Sequence, residues 1–296
     1  MWLGLVGLGR MGGPMVRRLV EAGHQVVGCD VSPDALAHAR RAGASTVFDL
    51  TALAETLPRP RTVWLMLPAG AVTAEVLERL ADLLDPDDLV VDGGNSDWRD
   101  AGRRKERLAM AGVRFLDVGV SGGQWGWRHG YGLVVGGAEE DFERVRPLFT
   151  ALAAPGAMAR VGATGAGHLV KAVHNGVEYG LMQAYAEGFA LLSAHDDVDA
   201  LTAIRVWQAG CSARSFLLEQ IVAALARNPS LAGVGTAVAD SGMGRWVAEE
   251  AIRLAVPAPV LTAALHARFA SRDDTQPANR LLAAARAQVG GHSTHA

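Results

Sequence analysis

The strongest constraint on this 296-residue chain lies in its first thirty residues. Met1 to Val6 is a short apolar run. Gly7-Leu8-Gly9-Arg10-Met11-Gly12 follows it at once and opens an amphipathic stretch, and a second apolar run ends at Asp30, 18 residues after Gly12. A strand, a glycine turn and a helix in this register aim backbone N–H groups and the positive end of a helix at one point, where a pyrophosphate is stabilised and the missing side chains let it approach. A carboxylate at Asp30 can accept hydrogen bonds from both adenosine ribose hydroxyls and repels a 2′-phosphate. The pattern implies a dinucleotide site that favours NAD over NADP, although Arg10 leaves some NADP binding open. The same residues are also compatible with a glycine-rich structural turn and a solvated Asp.

The rest of the first half alternates short apolar runs with amphipathic stretches. Strands are expected at 2–7, 25–30, 63–67, 89–92, 115–118 and 132–136, and helices at 11–22, 33–42, 71–84, 98–111 and 139–151. Such alternation predicts an α/β, Rossmann-like, doubly wound domain with a mostly parallel sheet. The glycine-rich run at 162–167 is expected to be a hinge, dividing residues 1–163 from 164–296. Beyond it no strand is evident. The stretches 167–194, 199–210, 214–226, 231–254, 258–270 and 277–288 are rich in Ala and Leu and predict an all-α C-terminal domain. In the first domain Met66-Leu67-Pro68-Ala69-Gly70 ends the third expected strand, where open sheets bind their ligands. This adds Leu67 and Pro68 to the cofactor candidates, against the alternative of an ordinary strand-to-helix turn.

Charge and composition exclude several classes. The net charge is −3 and no basic stripe is present, which argues against nucleic acid as a partner. Apolar stretches are broken by Arg, Asp or Gly well before the ~18 residues of a membrane span, and the N-terminal run lacks the charged region of a signal peptide. Cys29 and Cys211 are far apart and lack metal-ligand spacing. Two reduced cysteines in a cytoplasmic protein, with no metal site, are therefore expected.

Composition also singles out one residue. Of 28 cationic side chains only Lys105 and Lys171 are lysine. Lysine can lose its proton in a low-dielectric pocket, whereas arginine effectively cannot. On a helix, where each residue advances about 100°, His174, Asn175, Glu178 and Tyr179 share the face of Lys171. The intervening residues are apolar or small. A polar stripe on a buried helix implies either a satisfied structural network or chemistry. As chemistry, Lys171 is a general base and Glu178 a general acid, and His174 binds substrate. Two glycine-rich loops, Asp92-Gly93-Gly94-Asn95-Ser96 and Val120-Ser121-Gly122-Gly123-Gln124-Trp125-Gly126, follow strand candidates. They can cradle a carboxylate or hydroxyls, or act as plain turns.

Taken together, the Gly7–Gly12 turn, Asp92–Ser96, Gly119–Gly123 and the run Gly165–Gly180 resemble the 6-phosphogluconate dehydrogenase family, in its short form, within the 3-hydroxyacid dehydrogenases. The resemblance runs nearly end to end. It implies a cytoplasmic NAD enzyme of the pentose phosphate pathway and gluconate metabolism that converts 6-phosphogluconate to ribulose 5-phosphate and carbon dioxide. It assigns Lys171 as base and Glu178 as acid. Asn95, Ser121, Gly122, Gly123, His174 and Asn175 would hold the sugar acid, with Asn175 also in the catalytic set and Asn95 also near the cofactor. Tyr179 and Arg268 would bind the phosphate. Arg286 and His292 resemble residues that reach a neighbouring subunit's site, so a homodimer or higher homo-oligomer is expected.

Three positions depart from the pattern. Ser241 stands where the long form carries a phosphate-binding lysine, Met243 where short forms usually carry Glu, and Val289 where Phe is usual. Other readings remain. One is a β-hydroxyacid dehydrogenase of the hydroxyisobutyrate or tartronate semialdehyde type, which typically shows Asn-Asn where this chain has His174-Asn175 and lacks the Glu178-Tyr179 pair. Another is a decarboxylating dehydrogenase for a differently substituted six-carbon acid, and a third is a silent NAD-binding regulator.

Overall fold

Apolar runs four or five residues long become interior strands when both of their faces are covered. In the computed structural model, which describes residues 1–273 and 275–290, they do so in the order β1 (Trp2–Val6), β2 (Gln25–Cys29), β3 (Ser45–Val47), β4 (Thr62–Leu65), β5 (Leu89–Asp92), β6 (Arg114–Ser121), β7 (Tyr131–Gly137) and β8 (Ala153–Gly162). The sheet order is β3-β2-β1-β4-β5-β6-β7-β8. All neighbours pair in parallel except β6 and β7. The helices between them are α1 (Gly12–Glu21), α2 (Pro33–Arg41), α3 (Leu50–Thr56), α4 (Ala71–Leu83), α5 (Ala101–Ala109), α6 (Gly126–His129) and α7 (Glu139–Leu152).

Successive strand residues point to opposite faces, so one strand feeds two cores. Leu3, Leu5, Trp64, Val91, Leu116 and Val118 pack with Met15, Val16 and Leu19 of α1 and Val145, Leu148 and Phe149 of α7. The Trp64 and Phe149 rings meet edge-on at 5.4 Å. Val27, Val63, Leu65, Val90 and Phe115 pack on the other face with Leu53, Leu77, Leu80 and Leu108 of α3, α4 and α5. This is the doubly wound α/β arrangement that the sequence predicts.

The differences have local causes. Strands β3 and β8, helix α3 and the single turn α6 lie outside the elements that the sequence predicts. Strand β3 has three residues, too few to show a period. Strand β8 is a mostly exposed edge with a register irregularity and carries Pro155, which an edge tolerates because one row of its N–H groups needs no ladder partner. The expected helix 231–254 is a correction. Its first half is irregular, and α11 (Met243–Arg253) starts only after Gly242 at φ +88°, a conformation that interrupts a helix and costs little only for glycine. The expected helix 98–111 is a short 3-10 turn, Trp98–Asp100, followed by α5.

The chain forms two compact units, one spanning Met1–His174 and the other beginning at Asn175. Helix α8 (Ala166–Ser193) contributes to both. The second unit adds α9 (Ala200–Gly210), α10 (Phe216–Arg227), α11, α12 (Pro259–Ala270) and α13 (Pro277–Gly290). Among the described residues, Tyr179 packs with Ala264 and Leu265, and Ile204 with Leu218 and Leu225. Asp199 and Ser215 cap α9 and α10 by accepting Thr202 N–H and Leu218 N–H. Among the described residues no helix is long and apolar enough to cross a membrane.

One buried ion pair ties the starts of β4 and β5. Asp88, 1% exposed, accepts the Arg61 amide at 2.5 Å, Arg61 Nη1 at 2.8 Å and the Asp85 amide at 2.9 Å. Without Asp88 the buried Arg61 keeps only the partly exposed Asp85 carboxylate, 2.7 Å from its Nη1, and the Arg61 and Asp85 amides lose their acceptor. We expect Asp88→Ala to lower unfolding stability by about 3–5 kcal/mol, read as a shift of the urea midpoint, while the exposed pair Arg17–Glu21 can be broken at a cost below about 1 kcal/mol.

Candidate active site

The sheet order places β2 on one side of β1 and β4 on the other, so the loops leaving the carboxyl ends of β1 and β4 part there. Open sheets bind ligands at that point. A cavity of about 780 Å³ lies there, lined by Gly7, Gly9, Arg10, Met11, Asp30, Leu67, Pro68 and Asn95 among others. Leu8 and Gly12 do not line it. They are buried supports beneath the turn. A Cβ on Gly7 (φ +89°) would lie 2.5 Å from the Met66 carbonyl oxygen, and one on Gly12 would lie 1.9 Å from that of Gly7. A Cβ on Gly9 would meet nothing within 4 Å, so at Gly9 the backbone faces open cavity.

These features fit a dinucleotide. Helix α1 has no side-chain cap at its N-terminus; Gly13 N–H turns back to Gly9 O at 3.0 Å, and the positive end of the helix favours an anion beside the turn. The Asp30 carboxylate is held by Leu8 N–H at 2.6 Å and Ser32 N–H at 2.8 Å. Each oxygen has so far accepted one hydrogen bond and can take another. Phe48, Asp49 and the α4 residues Val72, Glu75, Val76 and Arg79 also line the cavity and were missed from sequence. Strand β3 has only three residues, so no local pattern marks the loop after it. The spacing of Val72 with Val76, and of Glu75 with Arg79, was the readable signal of one helix face. At the same cavity, burial, then the Asp49 and Asp30 carboxylates, push the Cys29 thiol up to about 11, which favours its protonated form.

Further along the sheet, Lys171 is buried at 7% exposure, and its Nζ lies 3.2 Å from His174 Nδ1. A second cavity, of about 490 Å³, brings Lys171 and His174 together with Ser121 and Gly122. Gly123 is exposed and lies outside its lining. Asn95 joins the two loops: its Oδ1 accepts Val120 N–H at 2.9 Å and its Nδ2 donates to Val120 O at 3.2 Å. Beneath them lies a group of buried polar side chains that no motif of the sequence assigns. Asp92 Oδ2 meets Arg104 Nη1 at 2.7 Å and His168 Nε2 at 3.3 Å, and Oδ1 accepts Gly94 N–H at 3.0 Å. Burial pushes the Asp92 carboxyl up, but His168, Arg104 and the Gly94 amide outweigh it and hold it at about 2. An acid closing the run Leu89-Val90-Val91-Asp92 was the available signal.

In the second unit Asn175 Nδ2 lies 3.2 Å from Met243 Sδ, and Glu178 is half-buried. The buried Tyr179 has its hydroxyl 3.3 Å from Ser241 Oγ, and the Arg268 guanidinium stacks on its ring, 3.6 Å from the centroid. Arg268 also donates to Ala239 O at 2.7 Å. Tyr179, Ser241 and Arg268 therefore form one cluster. Beside it the Asp240 carboxyl is held well below the ordinary range by its hydrogen bonds to Arg245 and, against the opposing effect of burial, to Arg272. Arg286 is exposed on α13, away from these contacts in sequence, and His292 lies outside the described residues.

Residues 2–165 match the model of the NAD binding domain of 6-phosphogluconate dehydrogenase, and residues 167–293 match that of the 6-phosphogluconate dehydrogenase C-terminal domain. An NAD(+)-dependent, decarboxylating 6-phosphogluconate dehydrogenase of Haloferax volcanii is 41% identical over 295 residues, covering 99% of this chain and 98% of that one. A solved 6-phosphogluconate dehydrogenase from Plasmodium falciparum superposes with a TM-score of 0.84 at 25% identity over 98% of this chain, which spans 65% of that longer protein. A 3-hydroxyisobutyrate dehydrogenase from Mycobacterium tuberculosis, solved with L-serine, gives 0.73 at 26% identity and covers 92% of this chain and 94% of its own. Both halves of the chain match models of one family, and full-length alignment to a relative follows the same assignment: the chain belongs to the 6-phosphogluconate dehydrogenase family.

Proposed function

We propose that this protein oxidatively decarboxylates 6-phosphogluconate to ribulose 5-phosphate, with residues 1–163 holding NAD and residues 164–296 serving substrate binding and self-association. The observation that carries the reading is the burial of Lys171 in a cavity it shares with Ser121, Gly122 and His174. Burial penalises the charged form of an amine, as a base of this kind requires. NAD, bound at the carboxyl ends of the strands, would supply the acceptor for the hydride leaving C3. Lys171 Nζ takes the proton of the C3 hydroxyl, and the resulting β-keto acid loses carbon dioxide as the same Nζ returns a proton to the ketone oxygen. Glu178, two turns further along α8, then protonates C1 of the enediol. Ser121, Gly122, Gly123, His174, Asn175 and Asn95 are assigned to the sugar acid. Tyr179 and Arg268 are assigned to its phosphate, with the Ser241 hydroxyl in the place of a second cation.

The assignments lead to three expected outcomes. Lys171→Arg should lower carbon dioxide release from 6-phosphogluconate with NAD by about 10²–10⁴-fold while NAD titration is unchanged. Normal turnover in that variant removes Lys171 as the base, and turnover of hydroxyisobutyrate in preference to 6-phosphogluconate by the unmodified protein would replace the substrate. Wild-type protein should prefer NAD to NADP, and Asp30→Ser should raise the NADP-to-NAD activity ratio at least about tenfold, because it removes a like charge from the 2′-phosphate. The exposed apolar side chains Val177 and Leu181, one turn apart on α8, and Val260 on α12 are consistent with a buried subunit face. Sedimentation equilibrium should therefore give at least a dimer, and a monomeric mass at micromolar concentration would refute that expectation.

A further inference from the structure

Lys171 is the sixth residue of α8, so its place is decided by where the first turns of that helix rest on the sheet. Asp117, fully buried within β6, decides this directly. Its Oδ1 accepts Gly165 N–H at 2.6 Å and its Oδ2 accepts His168 N–H at 2.9 Å. These are two of the N–H groups that a helix start leaves without an intrahelical partner. A carboxylate from another element thus caps α8 and meets the positive end of its dipole.

The contact beneath is backbone on backbone. A Cβ on Gly167 would lie 2.6 Å from the carbonyl oxygens of Asp117 and Val134, one on Gly136 2.5 Å from Asp117 Oδ1, and one on Gly119 2.4 Å from Lys171 Cβ. With no side chain as a spacer, the helix has little room to slide. Asp117, Gly119 and Ser121 are alternate residues of one strand, so cap, floor and cavity wall share one face of β6. His168, in the same first turn, reaches Asp92 at the end of β5, where the glycine loop lining the cofactor cavity begins.

We propose that Asp117 is a positioning residue for turnover: by capping α8 from β6 it holds Lys171 at a fixed height against Ser121 and Gly122. The proposal rests on the reading of Lys171 as the base. Asp117→Asn keeps the shape but turns an amide NH₂ toward one of the two N–H groups. A misplacement of about 1 Å at a reacting group costs about 10²-fold, so kcat with 6-phosphogluconate and NAD should fall about tenfold to hundredfold. KM should change by about twofold at most and NAD affinity should be retained.

The chain's two lysines provide an independent readout. In protein labelled with ¹³C at lysine Cε, Lys105→Arg identifies the Lys171 resonance, and that resonance should shift in Asp117→Asn. Asp117→Ser, which keeps a single acceptor, is measured in parallel, with folding checked by circular dichroism. A folded variant with wild-type kcat and an unmoved Lys171 resonance overturns the proposal. So does failure of both variants to fold, which would make Asp117 a residue of fold stability alone. If Lys171→Arg instead retains turnover, the base reading fails by itself, and the resonance still reports whether Asp117 sets the lysine's position.

Discussion

The seating of α8 on the sheet is the constraint on which the rest of the chemistry depends. A helix start carries unpaired N–H groups that must find acceptors if buried, and here the Asp117 carboxylate supplies two. That arrangement works only because glycines at 119, 136 and 167 remove the side chains that would hold helix and strand apart. A lysine placed on the second turn of such a helix is carried into the sheet's cover rather than into solvent, and its burial follows from the seating.

The cofactor cavity obeys a different rule. It owes its position to topology: the chain winds from β1 to β2 and β3 on one side, then returns to build β4 and β5 on the other. Local chemistry then furnishes the gap. Gly7 and Gly12 are required by crowding within the turn, whereas Gly9 leaves a face open. Asp30 is oriented by two backbone amides before any ligand arrives. Pre-oriented acceptors of this kind need little ordering on binding.

How much could be read beforehand depended on whether a signal was local. The turn Gly7–Gly12, the acid Asp30 and the polar stripe Lys171 to Tyr179 are short-range patterns: the turn joins β1 to α1, Asp30 lies one residue past β2, and the stripe falls on α8. Strand β8 and the segment before Met243 were misread for the converse reason. The first is an exposed edge with no apolar alternation, and the second is apolar enough to resemble a helix while Gly242 breaks it. The cavity residues Phe48, Asp49 and Arg79 have no local signal because they become neighbours only when β3 and α4 flank the same loop ends.

By itself the sequence determined the winding of the first half, the helical character of the second, the glycine turn and the identity of the one buried lysine, because periodicity and residue chemistry are encoded within a few turns or strands. Only the tertiary structure decided that Asp117 caps α8, that Asp92 gathers Arg104 and His168, and that Ser121 faces the same cavity as Lys171. Those pairings join residues from 12 positions apart, as in Asp92 and Arg104, to several tens. Their energies come from burial, which removes water as the competing partner and exists only once the sheet and helix have closed on each other.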